Sequence, residues 1–209
     1  MSIAPARILD YLRALDGVTP SLWLTGGVAV DFLVGRWTRP HKDLDLLAFS
    51  PSRTTLQSEL TKRGFALVQD GAWTTRWTFT GVGAADADIE IVFIEPAEPR
   101  TGVLVIPDDD NAGGRAGRYP LLPDSLDPDR FATLDGVRFR VCSAEGEWLS
   151  RVTSGDLIPG RTMEPKIGHD LDLLESLVSE ARRGELLAQA RRRRMSGSTS
   201  VRRPWHAEP

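Results

Sequence analysis

Apolar residues recur at helical spacing through residues 4–15, where Ile8, Leu9, Tyr11, Leu12 and Leu15 share one face and Asp16-Gly17 supplies a stop. The chain therefore opens with an amphipathic helix. Ser21-Leu22-Trp23-Leu24-Thr25 is a short apolar run ending in two glycines, and Val28 to Val34 return to helical spacing before Gly35, which predicts strand, glycine turn, helix. A polar connection broken by Pro40 leads into Asp43-Leu44-Asp45-Leu46-Leu47-Ala48-Phe49, whose apolar second half suits a buried strand with the two aspartates at its start. A helix over 52–63 and strands over 65–69 and 73–80 follow, with turns at Gly71 and Gly81. From Asp86 to Ile91 polar and apolar residues alternate strictly, so Asp86, Asp88 and Glu90 share one face of a strand and Ala87, Ile89 and Ile91 the other.

Residues 107–130 are rich in Pro, Gly and Asp without periodicity, which predicts a long loop that orders around a ligand. Phe131 to Val141 reads as a hairpin turning at Asp135-Gly136. Helices are predicted over 144–153 and 165–183, the second with Ile167, Leu171, Leu174, Leu177 and Val178 on its apolar face. From about residue 195 large apolar groups give way to Ser, Gly, Pro and Arg, the composition of a disordered tail. The division expected is a catalytic domain over 1–143, a helical part over 144–194 and a tail over 195–209.

Composition narrows the partners. The formal charge of the 209 residues is -3, with a pI near 5.7, so the overall balance does not call for nucleic acid or an anionic membrane. The arginines at 191–194, with Arg202 and Arg203, read more simply as a charged helix end and tail. The single cysteine, Cys142, cannot form an internal disulfide and is given no role. No apolar stretch approaches the ~20 residues of a membrane span, and the start carries no signal-peptide pattern. A cytoplasmic location is expected.

The chemistry lies in local groups. Two aspartates one residue apart on a strand, Asp43 and Asp45, point the same way at about 7 Å along the backbone and can share a cation cluster. Magnesium fits such oxygen ligands and usually leaves the rest of its shell to water and substrate phosphates, which points to a nucleoside triphosphate. A third carboxylate from the alternating strand, Asp88 first and Glu90 second, can complete a metal position or accept a proton from an attacking hydroxyl. At Gly26-Gly27 phosphate oxygens can approach the backbone at a helix start, with Thr25 adding a hydroxyl. Arg36, Arg39 and Lys42 put cations on the connection between these elements, placed to grip a polyphosphate. His41, beside the metal strand, reads equally as a structural group or a phosphate donor. Asp31 reads as a helix-surface residue or an arginine partner without a catalytic role. The tryptophans read as packing groups, with Trp37 or Trp73 able to stack on a base or acceptor ring.

Gly26-Gly27-Val28-Ala29-Val30-Asp31, followed by Gly35-Arg36-Trp37-Thr38-Arg39-Pro40-His41-Lys42-Asp43-Leu44-Asp45, resembles the signature of small-molecule nucleotidyltransferases of the polymerase-beta type, above all those acting on aminoglycosides and lincosamides. The resemblance is strong over roughly residues 22–49. It extends more weakly through Asp88-Ile89-Glu90 and to Lys166, which resembles a family lysine close to the nucleotide. It implies an α+β fold, a mixed twisted sheet flanked by helices with a helical carboxy-terminal segment. It also implies two magnesium ions on Asp43 and Asp45, triphosphate contacts at Gly26 and Gly27, and Asp88 as base. The implied reaction moves a nucleoside monophosphate, AMP from ATP, to a hydroxyl of a small-molecule acceptor, with antibiotic resistance as the consequence.

Three rivals share parts of this pattern: transfer to a protein or tRNA, as in toxin-antitoxin nucleotidyltransferases; a non-catalytic nucleotide-binding protein; and a phosphatase using Asp43 as nucleophile. Retention of Asp43, Asp45 and Asp88 argues against the second, and the glycine turn with its basic connection against the third.

Overall fold

The computed structural model describes residues 2–19, 21–71, 74–79, 89–95, 122–157 and 164–197. Helix α1 (Pro5–Leu15) buries Ile8, Leu9, Tyr11, Leu12 and Leu15, the same five residues that its spacing selects. Strand β1 (Leu22–Thr25) runs into α2 (Gly26–Val34), and Gly35 ends α2 in the left-handed region with φ 73°. Then come β2 (Leu44–Phe49), α3 (Arg53–Lys62), β3 (Phe65–Asp70), β4 (Thr74–Phe79) and β5 (Ile89–Ile94). The hairpin β6 (Phe131–Leu134) and β7 (Val137–Arg140) precedes α4 (Ala144–Leu157), α5 (Pro165–Glu175) and α6 (Glu180–Gly197).

The main sheet has the order β1-β2-β5-β4-β3. Only β2 and β5 are parallel among its pairs, so the sheet is mixed. Its alternation separates two environments. Leu22, Leu24, Leu44, Leu46, Ala48, Ile89, Ile91 and Phe93 enter the large core with α1, Val28, Ala29 and Phe32 of α2, and Leu56 and Leu60 of α3. On the other face Trp23, Leu47 and Ile94 pack with Leu126 and Cys142. A further core joins Val30 of α2 to Trp148, Leu149, Leu174, Val178 and Leu186, so α2 packs against both the sheet and the carboxy-terminal helices.

Three expectations change. The single helix predicted over 165–183 is two, because Val178 turns in to join Leu174 and Leu186. The Ser179 side chain then accepts the Arg182 backbone N–H and starts α6 afresh. Leu177, which the periodicity places on the apolar face, is exposed. The predicted loop over 107–130 includes an ordered 3-10 turn, Pro123–Leu126, with Leu122 and Leu126 buried; residues 96–121 lie outside the described residues. Helix α6 continues to Gly197, past the expected start of the tail, and 198–209 lie outside the described residues. The hairpin turns where predicted, with Asp135 and Gly136 at φ 46° and 76°, both positive as a two-residue turn of this kind requires.

Candidate active site

Strand pairing alone assembles the floor of a cleft. Thr25 lies opposite Asp45, Asp45 opposite Glu90, and Glu90 opposite Arg76. Because partners in register point to the same face, these residues form one polar row across four strands. Arg76 donates from Nε and Nη2 to Glu90 Oε2 at 3.0 and 2.9 Å. Asp43 precedes β2 and is exposed, whereas Asp45 is half-buried inside it.

The cleft is a cavity of about 520 Å³ whose lining includes Thr25, Gly26, Gly27, Arg39, Asp43, Asp45, Glu90 and, from the carboxy-terminal helices, Glu147, Arg151, Lys166 and Asp170. Gly26 has φ 72°, and a Cβ there would stand 2.3 Å from Asp45 Oδ2. At Gly27 a Cβ would stand 2.1 Å from Arg39 Nη2. Each glycine thus allows a charged side chain to touch the first turn of α2, a requirement added to the close phosphate approach expected of the pair.

Burial first, then the negative charges of Asp43, Glu90 and Glu147, pushes the Asp45 carboxyl up from 3.8 to about 7, against a smaller opposing pull from Lys166. Like charges crowded in a half-dry site favour the neutral acid, and a bound cation would relieve them. Among the described residues no group of three or more His, Cys, Asp or Glu side chains is placed to hold a metal ion by itself. Asp43 and Asp45 nevertheless supply the hard oxygen donors that magnesium takes alongside water and phosphate.

One wall is a continuous buried network. Thr25 Oγ1 donates to Glu147 Oε1 at 2.6 Å, and Arg151 Nη1 donates to Glu147 Oε2 at 2.5 Å. Arg151 also donates to Asp170, which accepts two further bonds from Arg39. Burial alone would push the Asp170 carboxyl up, but the bonds from Arg39 and the charges of Arg151 and Arg39 outweigh it and hold the group below its ordinary value. Arg39 Nη1 reaches His41 Nδ1 at 3.3 Å, and His41 Nε2 lies 2.6 Å from Asp31 Oδ2. Since a guanidinium can only donate, Nδ1 accepts and the ring proton sits on Nε2, directed at Asp31. Asp31 also accepts from the backbone N–H and hydroxyl of Thr38.

The predicted residues therefore divide. Thr25, Gly26, Gly27, Arg39, His41, Lys42, Asp43, Asp45, Glu90 and Lys166 meet at the cavity. Arg36 is exposed and outside its lining. Asp88, with Asp86 and Trp73, lies outside the described residues. His41 is buried and paired, which favours its structural reading, and Asp31 is a fully buried anchor instead of a helix-surface group. Trp37 donates to Asp135 at 2.7 Å and does not line the cavity. Burial, reinforced by Glu147, pushes the Cys142 thiol well up, so it stays protonated and unreactive.

Glu147, Arg151 and Asp170 carry no motif. The spacing of Glu147 and Arg151 at i and i+4 signals an ion pair on one helix face, but nothing in it points to a cleft. A backbone bond does: Cys142 donates to Leu24 O at 2.9 Å, laying the chain along the outer edge of β1 and delivering α4 to Thr25.

The fold has solved counterparts. The solution structure of the antibiotic-resistance factor ANT(2'')-Ia matches with a TM-score of 0.69 at 16% identity, covering 93% of this chain and 97% of that one. The crystal structure of ANT(2'')-Ia in complex with adenylyl-2''-tobramycin gives 0.63 at 18% identity, covering 90% and 99%. Lincomycin-bound lincosamide adenylyltransferase LnuA gives 0.56 at 18% identity, covering 85% and 100%. No curated protein matches the chain. The family model for aminoglycoside-2''-adenylyltransferase matches residues 7–150. That span runs from α1 into α4 and takes in every strand of the sheet together with the glycine turn, the aspartate pair and Glu147. The chain belongs to the aminoglycoside-2''-adenylyltransferase family and is a nucleotidyltransferase.

Proposed function

We propose that this enzyme transfers AMP from magnesium-bound ATP to a hydroxyl of an amino-sugar antibiotic and releases pyrophosphate. The observation that carries the reading is the contact between Gly26 and Asp45, which sets the start of α2 directly against a metal-binding carboxylate. A triphosphate held there has amide hydrogens and the positive end of a helix on one side and the Asp43/Asp45 pair on the other. The ammonium groups of an amino sugar suit a cleft that also presents Glu90 and Glu164.

Asp43 and Asp45, with Asp88 two positions before Glu90 in the sequence, would hold the magnesium, which supplies neutralisation of phosphate charge when bound. Gly26 and Gly27 offer backbone N–H groups to the phosphates, Thr25 borders them, and Arg39, Lys42 and Lys166 balance the charge of the departing pyrophosphate. The acceptor oxygen forms a bond to the α-phosphorus as the bond to the β-phosphate oxygen breaks. Asp88 takes the hydroxyl proton. Glu90 is second for that role because its Oε2 already accepts both bonds from Arg76.

Labelled ATP offered with aminoglycosides, lincosamides, tRNA and protein tests the reading. Pyrophosphate release with an aminoglycoside, abolished by Asp43→Asn in a protein that still melts cooperatively, is expected. Release with tRNA or protein alone, or full activity in Asp43→Asn, would overturn it.

A further inference from the structure

In the wall of the cleft a second tier of charge converges on Asp170. Its carboxylate accepts from Arg39 Nε and Nη2 at 3.0 and 3.1 Å and from Arg151 Nε and Nη2 at 3.3 and 3.1 Å. Three of these bonds fall on Oδ2 and one on Oδ1, so both carboxylate oxygens are engaged by the two guanidinium groups. The two arginines come from different parts of the chain, Arg39 from the connection ahead of β2 and Arg151 from α4.

Arg39 cannot swing freely. Two of its nitrogens are committed to Asp170, and Nη1 donates to Pro40 O and approaches His41 Nδ1, both at 3.3 Å. Its Nη2 lies against Gly27, at the positive end of α2. A cation pressed on a helix N-terminus is repelled by it, so the guanidinium stays there because Asp170 balances it from behind. Two positive features held side by side form a field that an incoming polyanion completes.

We propose that Asp170 is the positioning residue for the nucleotide's triphosphate, fixing the Arg39 guanidinium against Gly27. This rests on the nucleotidyltransferase reading above. Asp170 touches no reacting atom and acts through Arg39. Because it lies on α5 with Lys166, the same clasp registers that helix on the phosphate end of the cleft. Through Arg151 it also keeps Glu147 turned to Thr25.

The test reads magnesium-ATP affinity by calorimetry, and KM for ATP and acceptor separately, in the full chain. The variants are Asp170→Asn, Asp170→Glu, Arg39→Lys and the Asp170→Asn/Arg39→Lys pair. Asp170→Asn is expected to weaken ATP binding about tenfold, or roughly 1.4 kcal/mol, and to raise the KM for ATP alike while the KM for acceptor stays within about twofold. In the Arg39→Lys background it should add little, and Asp170→Glu, which keeps the charge, should recover part of the loss. Unchanged ATP affinity in folded Asp170→Asn, or an equal loss in both Arg39 backgrounds, overturns the proposal. If Asp170→Asn does not fold, Arg39→Lys decides: it must weaken ATP binding about tenfold, and unchanged affinity overturns the clasp. A wild-type protein that binds ATP but transfers to no acceptor refutes the functional reading and leaves the clasp standing; one that binds no nucleoside triphosphate refutes both.

Discussion

Replacing Asp45 by Asn should abolish turnover while making the metal-free protein more stable above neutral pH. Folding raises this carboxyl from 3.8 to about 7, through burial first and then through Asp43, Glu90 and Glu147. Below about pH 4 the folded and unfolded chains both hold the proton, and Asp45 leaves stability unaffected. Between about pH 4 and 7 the unfolded chain releases it and the folded chain keeps it, so stability falls as pH rises through that window and the full penalty stands above it. A shift of roughly 3 units sets a ceiling of roughly 4 kcal/mol. Asp45 is only half-buried, and solvent screening reduces the expected penalty to about 1–2 kcal/mol. In a chain of this size about 1 kcal/mol moves the melting midpoint by roughly 2–4 °C. Asp45→Asn should therefore melt roughly 2–8 °C above wild type near pH 8.5 in a chelator, with the gain shrinking toward zero near pH 4. Added magnesium should raise the midpoint of wild type much more than that of the variant. Scanning calorimetry at both pH values decides the matter: a gain independent of pH, or a variant less stable near pH 8.5, would refute the reasoning.

Gly26→Ala must place a Cβ against Asp45 Oδ2 at a positive φ. It should cost about 1–3 kcal/mol of stability and on the order of 100-fold in kcat/KM, because displacing a reacting group by about 1 Å is that expensive; near-wild-type turnover would show that Asp45 is not held through this contact. Asp31→Ala removes the acceptor of His41 and Thr38 in the core, and a loss of roughly 2–4 kcal/mol in urea unfolding is expected. A change within about 0.5 kcal/mol, the range of ordinary surface substitutions, would mean that water replaces the carboxylate.

Sequence period alone determined the sheet's two faces. Leu44, Leu46 and Ala48 of β2 and Ile89, Ile91 and Phe93 of β5 enter the large core, and Asp45 and Glu90 fall on the other face, because side chains alternate along any strand. The glycine turn was equally legible, since Thr25-Gly26-Gly27 stands between an apolar run and a helical one and its close contacts depend on missing side chains. These are local properties, carried by neighbours a few positions apart. Tertiary structure decided what locality cannot carry. The break at Val178 was hidden because apolar spacing continued across it, and only packing with Leu186 shows the turn. Asp31 looks like any polar helix residue until His41 is folded onto it. Asp170 lies 131 positions from Arg39, with no spacing rule to join them. Their pairing follows from β1, whose outer edge hands the chain to α4 through Leu24 and Cys142, and from α2, whose two apolar sides fix where the carboxy-terminal helices can pack.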